Sequence, residues 1–243
     1  MTTNVDSTPA KRFINAYNQI DHALRAQYNF KNNISFTDLV RRCSSLNSII
    51  KTHEDDLISF ARLRNAIVHA VGDYIVAEPH ETVVKAMESI VELITTPPLA
   101  LEALGRRKVA VISSCSTLAE WLVEKNRVGY SNLPVYKGNM LIGLMHWRQY
   151  FSGLGKVVLE RRSVDQYLQC TTVEEFLQEN PSRDELYKLV SERVTIEEML
   201  RLFDVNRKLV CVIITKAGKA MESPLRIVTR VDIMDLMKVL ESF

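Results

Sequence analysis

Between Pro9 and Thr95 the apolar residues return every three or four positions, the period of a helix that turns one face inward. Four or five helices are expected there. One runs from Pro9 to Tyr28. A second starts in SFTDLVRRC, where Ser35 or Thr37 can cap it. A third is DDLISFARLRNAIVHAV, ending around Gly72, a residue suited to the left-handed position after a helix. A fourth, HETVVKAMESIVELI, follows Glu78-Pro79 and carries Val83, Met87, Ile90, Val91 and Ile94 as an apolar stripe. The pattern then changes. Of the eight glycines only Gly72 precedes position 100, and short β-rich runs now alternate with helical stretches. Pro97-Pro98 stands at the change, and paired prolines remove amide donors and push the preceding residue out of the helical region. A domain boundary is expected near residues 95–100.

The second part repeats itself. Thr117-Leu-Ala-Glu120 and Thr195-Ile-Glu-Glu198 each fit a capping box, in which a hydroxyl and a carboxylate satisfy amides left open at a helix start. Each opens an apolar helix, AEWLVEK and EEMLRLF. A β-rich run follows, LPVY and VCVIIT, then a turn at Lys137-Gly138-Asn139 or Lys216-Ala217-Gly218. A second run comes next, MLIGLM and LRIVT, and then a closing helix, WRQYFSGL and RVDIMDLMKVL. The expected order is helix, strand, strand, helix, twice, with the copies about 78 to 83 residues apart.

Composition narrows the classes. A chain of 243 residues with 47% hydrophobic and 25% charged side chains is globular and long enough for two ordinary domains. Lys and Arg number 31 against 29 acids, so no bulk positive field selects nucleic acid as a partner. Cys43, Cys115, Cys170 and Cys211 lie far apart, which argues against a zinc cage or a disulfide framework and fits a reducing cytosol. The opening MTTNVDSTPAKRF lacks the apolar core of a signal peptide, and no run of 18 apolar residues exists. A cytoplasmic protein without a membrane span is expected.

The stretches STLAEWLVEKNRVGYSNLPVYKGNMLIGLMHWRQY and RVTIEEMLRLFDVNRKLVCVIITKAGKAMESPLRIVTRVDIMDLM resemble a tandem pair of cystathionine-β-synthase-type (CBS) domains, a likeness covering roughly residues 99–243. That resemblance implies two modules packed through their sheets, with clefts that hold adenine nucleotides: AMP, ATP, S-adenosylmethionine or cyclic dinucleotides. The family's nucleotide mark falls on Thr229-Arg-Val-Asp232. The spacing makes chemical sense. Residues i and i+3 at a helix start share a face. A carboxylate there can accept both ribose hydroxyls, and the threonine hydroxyl with the first-turn amides can meet a phosphate. Arg230 can add a cation. The plainer alternative is that Thr229 caps the helix and Asp232 is a first-turn acid. In the first copy His146 replaces the threonine and Gln149 the aspartate, so one competent cleft is expected rather than two. Arg226 stands where the first copy has Gly143, and it can either contact a phosphate or crowd the pocket. The segment between the copies is long, and Thr172-Val-Glu-Glu175 predicts extra helix there.

The helical part carries FARLRNAIVHAVGDYIVAEP, in which Asn65 and His69 share a helix face and Arg64 can swing towards it. Arginine forks onto a phosphate, and histidine relays protons near neutral pH, so the group suits metal-independent RNA cleavage. The alternative is an Arg64 ion pair with Asp55 or Asp56 and a His69 bonded to a neighbouring carbonyl. His53 beside Glu54, Asp55 and Asp56 is read as a solvated acidic face, since consecutive helix residues diverge; no metal ligand set is expected. With FTDLVRRC upstream, the stretch DLISFARLRNAIVHAVGDYIVAEPHETVVKAMESIVELI resembles a HEPN domain over roughly residues 10–95, with Arg64, Asn65 and His69 at its mark. That resemblance implies a homodimer with a composite site, and often an endoribonuclease of toxin or defence systems with RNA as substrate.

The expected fold is therefore α + α/β: an N-terminal all-helical HEPN-like bundle over residues 1–96, then a C-terminal CBS domain pair over 97–243. The first copy is expected at about 99–160, a helical insert at about 161–184, and the second copy at about 185–243. Two functions stay open. One is a nucleotide-controlled endoribonuclease acting through Arg64, Asn65 and His69, with the nucleotide held at Thr229, Arg230 and Asp232. The other is a non-catalytic nucleotide-binding regulatory or assembly protein whose helical part dimerises or docks a partner.

Overall fold

The computed structural model describes residues 8–31, 33–68, 77–130, 132–181 and 185–241. The chain divides into two compact units between Pro98 and Leu99, with the last residues from Val239 grouped with the first unit.

The first unit is helical: α1 (Pro9–Tyr28), α2 (Phe36–Ser44), α3 (Ser48–Thr52), α4 (Glu54–Val68) and α5 (Glu81–Thr95). Thr8 caps α1, with Pro9 in the first turn, where its missing N–H costs nothing. Ser35, rather than Thr37, caps α2 and accepts from the Asp38 amide at 3.2 Å. The short α3 is a helix of its own that the apolar period did not separate; Asn47 caps it. Phe13, Ile20 and Leu24 of α1 form one core with Leu39, Leu57 and Met87 from α2, α4 and α5. The Arg12 guanidinium forks onto Glu88 at 2.6 and 2.9 Å and reaches Glu81 at 2.7 Å, which pins α1 to α5. The helix end expected around Gly72 lies outside the described residues.

The second unit runs α6 (Ala100–Leu104), β1 (Ile112–Ser113), α7 (Leu118–Val128), β2 (Asn132–Lys137), β3 (Met140–His146), α8 (Trp147–Leu159), α9 (Val164–Cys170), α10 (Val173–Glu179), β4 (Tyr187–Ser191), α11 (Ile196–Val205), β5 (Cys211–Thr215), β6 (Arg226–Thr229) and α12 (Arg230–Glu241). It holds two three-stranded sheets, ordered β1-β2-β3 and β4-β5-β6. In each, the outer leading strand pairs parallel with the middle one, which pairs antiparallel with the last.

Each copy therefore begins with a strand, and the expected order of helix, strand, strand, helix is corrected by that addition. The reason is physical. β1 is two residues long, and β4 reads YKLVS with every position only half-buried, so neither shows a clean alternation. Middle strand β5 is buried at all five positions, which explains why its sequence is a continuous apolar run.

All three capping boxes form. Thr117 and Glu120, Thr172 and Glu175, and Thr195 and Glu198 exchange both bonds, at 2.8–3.2 Å. The two sheets share a core in which Leu141 and Leu144 of β3 meet Cys211 and Ile213 of β5. The segment between the copies supplies α9 and α10, whose Tyr167, Val173 and Phe176 enter the first copy's core with Leu118, Trp121 and Tyr150.

The segments leading into the two copies are exchanged. Leu99, at the start of α6 and ahead of the first copy, bridges Thr195 of the second, and the Ala100 amide bonds the Val194 carbonyl at 3.0 Å. Thr172, ahead of the second copy, bridges Thr117 of the first, and the Val173 amide bonds the Ser116 carbonyl at 2.8 Å.

Candidate functional site

Strand β6 runs straight into α12, so Thr229 ends a strand and Asp232 lies in the first helical turn. The Asp232 carboxylate turns back. Its Oδ2 accepts the Thr229 amide at 2.8 Å and the Thr229 hydroxyl at 2.9 Å. Its Oδ1 accepts Arg226 Nη2 at 3.0 Å. Burial pushes the Asp232 carboxyl up, but the bonds from Thr229 and Arg226 together outweigh it and hold the group below the usual aspartate range. Asp232 is thus ionised at neutral pH and already carries three donors.

These residues line a cavity of about 250 Å³. Its other walls come from the lead-in to β1, with Arg107, Lys108 and Ala110, and from the start of β2, with Tyr130 and Asn132. Arg107 lies 5.9 Å over the Tyr130 ring, a cation–π contact that ties a guanidinium to the cavity wall. Neither Arg107 nor Lys108 has a carboxylate partner among the described residues. Asn132 Oδ1 is buried without a hydrogen-bond partner among the described residues, which leaves an acceptor for a donor group on a ligand. Three cations face one carboxylate, and one wall is apolar.

The expected residues are not all brought here. Thr229 and Asp232 are, but the Thr229 hydroxyl donates to Asp232 and so is not free to donate to a phosphate. Arg230 is directed elsewhere. Its guanidinium stacks 5.5 Å from Phe203 and bonds the carbonyls of Phe203, Asn206 and Arg207 at 3.0–3.3 Å. The carbonyls of the last turn of α11 and just beyond it attract it, as helix C-termini attract cations. Arg226 takes the place at the cleft that Arg230 was expected to hold. It is nearly buried and also donates to the Leu104 and Gly105 carbonyls at 3.1 and 3.5 Å, at the end of α6. Sequence reasoning missed Arg107, Lys108, Tyr130 and Asn132. The run Arg106-Arg107-Lys108 is the signal that could find two of them, whereas nothing in the pattern singles out Asn132.

The first copy has a matching cleft of about 490 Å³, lined by Gly143, Gln149, Leu177, Tyr187 and Lys188. There Gln149 donates to the Asn180 carbonyl and leaves Oε1 buried and unpartnered. His146 caps α8, with burial and Arg148 holding its imidazole below the usual histidine value. This cleft therefore offers a neutral amide where the other offers a carboxylate.

In the helical unit Arg64 is half-buried on α4, 5.6 Å from the Tyr17 ring, with Nη1 donating to exposed Asn65 at 3.5 Å. The alternative of an ion pair with Asp55 or Asp56 is absent among the described residues, and Arg64 Nε is buried without a partner. His69 lies outside the described residues.

No family model matches the chain, and no curated protein does. Solved structures do. The likenesses are to CBS-domain proteins. One is CBSX2 in complex with AMP, at 14% identity over 59% of this chain and 98% of that one, with a TM-score of 0.43. Another is the CBS domain of a bacterial CNNM/CorC family Mg2+ transporter in complex with ATP, at 19% identity over 63% and 94%, with a TM-score of 0.42. A third is CbpB in complex with c-di-AMP, at 13% identity over 55% and 79%, with a TM-score of 0.41. No helix among the described residues is long and apolar enough to cross a membrane.

Proposed function

We propose that residues 99–238 form a CBS-type regulatory pair that binds an adenine nucleotide in the cleft beside Asp232. The supporting observation is an ionised carboxylate held at the start of α12, in one cavity with an orphaned amide oxygen and free cations. The carboxylate accepts a ribose hydroxyl. Asn132 Oδ1 accepts an exocyclic amine such as that of adenine. Tyr130 and Ala110 offer an apolar wall, and Arg107 and Lys108 face the phosphates. Calorimetry with AMP, ADP and ATP tests this. Binding is expected in the wild type, and Asp232→Ala is expected to weaken it by about tenfold or more, the cost of a charge-assisted bond. Absence of binding in the wild type overturns the reading.

A second reading concerns the helical unit. We infer that it is the effector, a metal-independent endoribonuclease in a homodimer, with Arg64 gripping phosphate, Asn65 positioning it and His69 moving the proton. What favours this is an Arg64 whose charge no carboxylate among the described residues consumes and whose Nε has no partner there. A nucleotide controls such an effector only through unequal affinity for its active and inactive arrangements. The test is cleavage of mixed RNA in EDTA, with and without ATP. Turnover is expected in the wild type and lost in His69→Ala; turnover unchanged in that variant overturns the assignment. Nucleotide binding without any turnover leaves a purely regulatory protein.

A further inference from the structure

Arg226 stands where the first copy has Gly143, and it is tied at both ends. Nη1 holds the carbonyls at the end of α6, and Nη2 holds Asp232 Oδ1. An ionised carboxylate offers about four acceptor sites. Thr229 takes two on Oδ2 and Arg226 takes one on Oδ1, so one ribose hydroxyl fits with Arg226 in place. The second hydroxyl fits only when Nη2 lets go.

A guanidinium this buried does not stay unpaired without cost. It leaves Asp232 only if the incoming ligand offers another anion. A phosphate does so in the same planar fork that a carboxylate uses. Arg107 and Lys108 line the same cavity and add two further cations. An uncharged nucleoside gives Arg226 nothing in exchange. S-adenosylmethionine brings one carboxylate but also an ammonium and a sulfonium, a net cation, to a site where three cations already outnumber one acid.

We propose that Arg226 selects the ligand by charge. It exchanges Asp232 for a ligand phosphate, so the cleft takes adenine di- and triphosphates in preference to adenosine or S-adenosylmethionine. This rests on the nucleotide reading of the same cleft and adds the ligand class and the residue that sets it.

Titration calorimetry on the full chain with ATP, AMP, adenosine and S-adenosylmethionine tests it, on wild type and Arg226→Gly. In the wild type ATP is expected to bind more tightly than AMP, and at least about tenfold more tightly than adenosine or S-adenosylmethionine, the size of one charge-assisted contact. In Arg226→Gly the two ends move in opposite directions. ATP weakens by about tenfold as the phosphate partner goes, while adenosine holds or tightens because Asp232 is released. A merely structural arginine would weaken both ligands together. Parallel weakening, unchanged ATP binding, or wild-type adenosine affinity close to that of ATP would each overturn the selection. Arg226→Lys and Arg107→Ala provide arms that leave the glycine change aside: both are expected to weaken ATP and spare adenosine. If no adenine compound binds the wild type, it is the nucleotide reading itself that fails.

Discussion

At Asp232 three donors converge on one carboxylate, and the pH dependence of stability follows from them. Its folded value lies below the ordinary aspartate value, so the folded state binds the proton less readily than the unfolded chain. The stabilisation is fully present above the unfolded value. It is lost as pH falls through the folded one. Urea midpoints for wild type and Asp232→Asn are therefore expected to differ most near neutrality and to converge below about pH 4. A gap that stays constant into acid would mean that the bonds to Thr229 and Arg226 do not depend on the ionised carboxylate. At this scale the sequence was half legible. Thr229 and Asp232 announce themselves by spacing, because a first-turn geometry needs only local residues. The destination of Arg226 is not legible in the sequence, since Leu104 and Gly105 are more than 120 residues away in the chain. Adjacency to Thr229 points to Arg230, but the carbonyls that attract it lie over 20 residues upstream.

Helix α8 shows how packing overrides propensity within an element. Gly153 is buried, and a methyl group on it would sit 2.5 Å from the Phe176 ring of α10. Gly155, two residues on, has open space around the same position. Glycine to alanine in a helix gains about 1 kcal/mol from propensity alone. Overpacking a filled core costs about 1–3 kcal/mol, and Phe176 has no exposed side to which its ring can retreat. Gly153→Ala is thus expected to lower stability and Gly155→Ala to raise it by up to about 1 kcal/mol, read as opposite shifts of the urea midpoint. The capping boxes were legible because they are written within four residues, and all three are made. β1 and β4 were not, because a short parallel edge strand draws its stability from the neighbour it pairs with and not from its own pattern.

For the whole molecule, ligand binding and folding are linked. A ligand that binds only the folded state at a hundred times its dissociation constant adds about 2.7 kcal/mol. ATP at that excess is expected to raise the melting temperature of the wild type and, with binding weakened about tenfold, to raise that of Asp232→Ala by only about half as much or less. An equal rise in both would place the nucleotide elsewhere. The doubling of the second unit was legible as a repeat, yet its wiring was not. The stretch read as an insert supplies part of the first copy's core, through Tyr167, Val173 and Phe176. Side chains that cross from one copy to the other leave no periodic trace in either.

The crossed lead-ins at Leu99 with Thr195 and Thr172 with Thr117 have a consequence for anyone cutting the chain. Each copy borrows the piece that seals it from sequence ahead of its twin. A fragment trimmed to one repeat keeps its own overhang, with nothing to dock on, and lacks the one it needs. The smallest excisable piece is the doublet, and a single repeat on its own would close only by finding a second molecule.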